Sequence, residues 1–197
     1  MKNSIGKKLV KQAGFTLIEL LIVVAIVALI VVGVVNFGTK ASTKTEAADI
    51  KTTISSVVTS LKPLYRNSFA GIANCDNLVT NDVFAKTSFR IDKTTPANPI
   101  VLYSSDPGST VACASATIAN PNDGVALTLA NMTDDMCSAA IDEVAPLAWL
   151  ISIDGTQVKA RSGALNIGTK GTLCTNTAAT TDAHSVTFTL SRANPPQ

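Results

Sequence analysis

From Phe15 to Gly38 the chain reads FTLIELLIVVAIVALIVVGVVNFG, an apolar run broken by one charge, Glu19, and one other clearly polar side chain, Asn36. Sixteen consecutive residues, Leu20–Val35, carry no polar side chain. A helix over Phe15–Gly38 would be about 36 Å long, enough to cross a bilayer core of about 30 Å. A helix buried in a soluble core is the alternative, but such helices rarely stay apolar on every face for so long. The run points to a membrane phase.

Charge is distributed to match. The chain of 197 residues has a formal net charge of +2. Four of its 16 basic residues, Lys2, Lys7, Lys8 and Lys11, precede the run with no acid among them. The remaining 12 basic residues face 14 acidic ones, a net of −2. A nucleic-acid binder would keep positive charge on its folded part, so that class is excluded. Hydrophobic residues make up 46% and charged residues 15%, with a mean hydropathy of +0.30, which excludes a disordered chain. The lysines place the N-terminus in the cytoplasm and residues beyond Lys40 outside. A secretory signal would have a shorter apolar region and a small-x-small cleavage site, neither of which is seen. An inert anchor would gain nothing from Glu19, because a carboxylate in mid-span costs about 2.5–3.5 kcal/mol and marks function by default.

Gly14-Phe15-Thr16-Leu17-Ile18-Glu19-Leu20, after a lysine-rich leader and before a long apolar run, resembles the processing site of type IV prepilins. The resemblance implies a cytoplasmic cut between Gly14 and Phe15 by a prepilin peptidase, which also N-methylates Phe15. It implies a role in filament assembly for Glu19. Its expected partners are other pilin subunits, the inner-membrane platform, an assembly ATPase, an outer-membrane secretin, and lipid before assembly. The precursor would sit in the inner membrane and the product on the cell surface. Type II secretion pseudopilins share this segment, so it does not separate pilus from pseudopilus or minor pilin.

Beyond the run, Ile50, Ile54, Val57, Val58, Leu61 and Leu64 recur at helical spacing. This predicts one long helix, apolar over 15–38 and amphipathic over 39–65, ending near Pro63 and Arg66-Asn67. Gly33 and Gly38 are either weak points or small residues at helix contacts. Residues 66–197 form the head. Ile100–Tyr103, Val125–Leu129, Trp149–Ile153, Thr156–Ala160 and Ser185–Leu190 read as strands, the last with clean alternation. Asp154-Gly155 signals a tight hairpin. Thr133 reads as an N-cap, with Asp134 and Asp135 in the first turn of a helix that sets Cys137, Ile141 and Val144 on one face. The fold class is α+β, a long N-terminal helix packed on an antiparallel sheet, with Asn194–Gln197 as a tail. VALTLANMTDDMCSAAI over Val125–Ile141, together with the 183 residues left after cutting, resembles the type IVb pilins. The fourteen-residue leader is shorter than type IVb leaders usually are and Phe15 is typical of type IVa, so both subclasses stay open.

Cys75, Cys113, Cys137 and Cys174 lie on the expected outer side without a C-x-x-C pair, which argues against zinc and for two disulfides. Four cysteines allow three connectivities, and buried free thiols are the other reading. The pilin resemblance implies Cys137–Cys174, leaving Cys75–Cys113. His184 is the single histidine, without a flanking catalytic motif, and reads as a surface or packing residue. Gly168-Thr169-Lys170-Gly171 lacks P-loop spacing, and Asn131-Met132-Thr133 matches a glycosylation sequon by chance. No enzyme, cofactor or metal site is expected. A single-pass binding protein is the alternative of a different class.

Overall fold

The computed structural model describes residues 16–94, 99–175 and 183–192, and for residues 32–40 the helical backbone alone. Gly14, Phe15, the leader lysines and the Asn194–Gln197 tail lie outside the described residues. The chain divides into two compact units, Met1–Thr39 and Lys40–Gln197. The amphipathic half of the helix, 40–65, falls in the same compact unit as residues 66–197.

Helix α1 spans Leu17–Leu64. In the first unit its apolar side chains from Leu17 to Val31 are exposed on every face, from 50% at Val23 to 77% at Leu17. Residues 17–31 make about 22 Å of helix. Among the described residues no helix is long and apolar enough to cross a membrane. The rest of the expected span, 32–38, lies outside the described side chains.

In the second unit α1 buries Ala47, Ile50, Ile54, Val57 and Leu61 along one stripe, the three-four spacing of a core-facing helix. Leu64, expected on that stripe, is exposed because the helix ends there. Thr53 is buried instead, with its hydroxyl 2.7 Å from that of Ser88. On the outer face Thr45, Thr52, Ser56 and Thr59 each donate to the carbonyl four residues back. These bonds satisfy hydroxyls that otherwise compete with helix formation.

The head adds α2 (Asp76–Thr80), β1 (Arg90–Asp92), β2 (Ile100–Leu102), β3 (Thr110–Ala116), β4 (Gly124–Met132) and α3 (Asp134–Val144). After them come β5 (Leu150–Ile153), β6 (Thr156–Lys159), α4 (Ile167–Leu173) and β7 (His184–Ser191). The described strands form one antiparallel sheet in the order β1-β2-β3-β4-β7-β5-β6. Its centre is the β4–β7 pair, where Val125, Leu127 and Leu129 stand opposite Leu190, Phe188 and Val186. All six are fully buried in the same core as the α1 stripe. Each such side chain contributes about 1.5–3 kcal/mol on burial. Strand β4 must start on glycine, because a Cβ at Gly124 would lie 2.8 Å from Ile118 Cδ1 and 3.0 Å from the Leu190 carbonyl.

The five expected strands are present, shifted at their ends by a few residues. Two strands, β1 and β3, and two short helices, α2 and α4, lie where no element was expected, α4 covering Gly168–Gly171. The β5–β6 hairpin turns on Asp154 (φ 49°) and Gly155 (φ 80°), two left-handed residues as a type I′ turn requires.

Candidate functional site

The N-terminus of α1 is capped from within. Thr16 sits at the N-cap, and its Oγ1 accepts the Glu19 N–H at 3.3 Å. Glu19 Oε2 in turn accepts the Thr16 N–H at 3.0 Å and the Thr16 hydroxyl at 2.9 Å. This is a reciprocal capping box, which satisfies donors that a helix start leaves without partners. Glu19 thus has a local structural role that the membrane-cost argument missed. The signal was in the sequence as Thr-x-x-Glu ahead of an apolar run.

In the head, Cys75 is bonded to Cys113 and Cys137 to Cys174. The first bridge joins the start of α2 to β3, and the second joins α3 to the end of α4. Helix α3 starts as the sequence predicts, with Thr133 Oγ1 accepting the Met136 N–H, and buries Cys137, Ile141 and Val144. At its other end Lys159 Nζ donates to the carbonyls of Ala145 (2.6 Å) and Ala148 (2.7 Å). A cation there complements the helix dipole, and burial pushes the Lys159 pKa down. Lys170 of α4 meets both carboxylate oxygens of Asp142 at 2.7 and 2.8 Å. Lys51 of α1 meets Glu143 at 2.9 Å, a half-exposed pair contributing about 0.2–1 kcal/mol.

His184 is a correction. It is neither on the surface nor merely packed, being 4% exposed with each ring nitrogen facing a carboxylate. Nδ1 lies 3.0 Å from Asp154 Oδ2 and Nε2 lies 3.0 Å from Asp134 Oδ1. Asp134 is therefore more than a helix-dipole residue. Burial alone would push the His184 pKa down, but the bonds to Asp154 and Asp134 and their charges outweigh it and hold it above the ordinary 6.5.

A cleft of about 500 Å³ is lined by Ile118, Asn120, Asp123, Trp149, Arg161 and Arg192. Two of its charged groups, Asp123 and Arg192, serve the fold. Asp123 accepts the N–H groups of Ile118, Ala119 and Asn120 at 2.7–2.9 Å. Arg192 donates to the Asn67 carbonyl and lies over the Phe69 ring. Among the described residues no group of three or more His, Cys, Asp or Glu is arranged to hold a metal.

Residues 9–35 match the family described as the prokaryotic N-terminal methylation motif. Among solved structures the chain is similar to a type IV b pilin from Salmonella typhi, with 16% identity and a TM-score of 0.55 over 75% of this chain and 98% of that one. It also aligns with TcpA, a type IV pilin from Vibrio cholerae El Tor biotype, at 16% identity and a TM-score of 0.48, over 76% of this chain and 99% of that one. No curated protein matches the chain significantly. At such identity the Salmonella likeness speaks for the fold, while the motif speaks for the N-terminal segment. The chain is type IV pilin-like, a prokaryotic N-terminal methylation motif joined to the fold of a type IV b pilin.

Proposed function

We propose that this chain is the structural subunit of an extracellular type IV pilus. It is made as a precursor inserted in the inner membrane, with residues 1–14 in the cytoplasm and the head outside. A prepilin peptidase cuts between Gly14 and Phe15 and methylates the new N-terminus, and the subunits then polymerise through the start of α1. The observation that carries this reading is the apolar surface of residues 17–31, exposed on every face and starting within the Thr16–Glu19 capping box. Such a surface needs lipid or other helices around it, because solvating it forfeits about 25 cal/mol per Å². A helix that spans the bilayer first can exchange lipid for neighbouring helices without ever meeting water.

Glu19 fits the same scheme. Cleavage creates an ammonium at Phe15, four residues before the carboxylate. In a filament the Glu19 of an assembled subunit pairs with the Phe15 ammonium of the incoming one. That pairing offsets part of the cost of two charges in an apolar core and sets the axial register.

Electron microscopy of surface filaments tests the reading in a strain lacking this chain. Loss of filaments, restored by the intact gene, is expected. Unchanged filaments together with lost protein secretion would instead identify a pseudopilin and overturn it.

A further inference from the structure

His184 opens β7 at the meeting point of three elements that are remote in sequence. Across β4 it stands opposite Met132, just past a bulge between Leu129 and Met132. Asn131 in that bulge adopts φ 60°, and the extra residue bends the strand where the chain turns into α3. Asp134, 50 positions from His184, faces Nε2 from the first turn of α3. Asp154, 30 positions away, faces Nδ1 from the β5–β6 turn. The same Asp154 accepts the Ser185 N–H through Oδ1 at 2.8 Å, and its own N–H donates to the Ser185 carbonyl at 2.8 Å. Asp134 and Asp154 are the charged groups facing the ring. Asp135, next on α3, is exposed, and β4 contributes no charged residue.

Two carboxylates across one imidazole ask for a particular protonation state. An imidazolium donates from both nitrogens, whereas neutral imidazole has one donor and one lone pair. In the neutral form one of the two carboxylates faces a lone pair, and the contact turns from attraction to repulsion. We propose that His184 is a proton-operated clasp that, when charged, locks the first turn of α3 and the β5–β6 turn onto the start of β7, and on deprotonation releases one of them. Asp154 lies within the segment closed by the Cys137–Cys174 bond and Asp134 lies just ahead of it, so the clasp ties that disulfide-bounded segment to the start of β7.

The sign follows from the raised folded-state pKa. The stabilisation is fully present below the unfolded value of about 6.5 and is lost as pH rises through the folded value. The head is therefore held more tightly in mild acid than in mild alkali.

One histidine in the whole chain gives one titration curve. The experiment is NMR of histidine-labelled full-length protein in detergent micelles, with amide exchange followed across the same pH range. A midpoint above 6.5 is expected, lowered by Asp154→Asn and by Asp134→Asn. Amides of Asp154 and Ser185, or those of Met136 and Cys137 at the start of α3, should lose protection relative to those of β4 as pH passes that midpoint, and His184→Gln should abolish this dependence. A wild-type midpoint at or below 6.5 overturns the clasp, and so does the same loss of protection in His184→Gln. If His184→Gln does not fold, an unchanged midpoint in Asp154→Asn overturns it equally.

Discussion

At Glu19, cap and charge sit on one carboxylate, and substitution can separate them. Oε2 holds the Thr16 N–H and hydroxyl, but a carboxylate offers about four acceptor sites, so capping leaves capacity for an ammonium. Glutamine serves the capping box as well as glutamate does and carries no charge. Glu19→Gln therefore keeps the helix start and removes the proposed pairing, whereas Glu19→Ala removes the pairing and also the side-chain half of the capping box. Near-normal insertion and cleavage are expected for both, with filaments lost or scarce in both, as read by immunoblot and by the yield of sheared filaments. Abundant filaments from Glu19→Gln would mean that the cap suffices, and would contradict charge pairing. The clasp at His184 belongs to this scale as well, since one proton decides whether two remote turns stay joined.

At the scale of elements the head depends on its bridges where local propensity is weak. The Cys137–Cys174 bond closes a separation of 37 residues, worth about 4 kcal/mol on the loop-entropy relation. That is a large share of the roughly 5–15 kcal/mol that stabilises a domain. Cys137→Ser should lower thermal stability by about that amount and speed proteolysis of the head. Non-reducing peptide mapping should return Cys75 with Cys113 and Cys137 with Cys174, and Cys75 joined to Cys137 would contradict the described fold. The same contrast explains which elements could be read from the sequence. Strand β7 announces itself through Val186, Phe188 and Leu190, α3 through its Thr133 cap and apolar face, and the hairpin through Asp154-Gly155. Strand β3, TVACASA, is built of small residues with little β signal and is held by its ladders and by Cys113. Helix α4, IGTKGTL, carries two glycines. It is stabilised by its Asn166 cap, the Lys170–Asp142 pair and the Cys174 bridge. Such elements owe their form to partners distant in the chain, as does the His184 site. The Thr16 cap differs, because its partner lies three residues away and was legible in the sequence.

At the scale of the molecule the chain joins two units with different surfaces. The second unit, Lys40–Gln197, buries apolar residues around the β4–β7 pair and the Ala47–Leu61 stripe of α1. In the first unit the apolar side chains described from Leu17 to Val31 are exposed on all sides, the surface that the proposed lipid or sister-helix surroundings would cover. The methylation motif over residues 9–35 supports the proposed processing of the N-terminus. The most direct test is mass spectrometry of the N-terminal peptide from subunits in purified surface filaments. A chain that begins at Phe15 and carries one added methyl group is expected. Assembled subunits that retain Met1 and the lysine leader would contradict it.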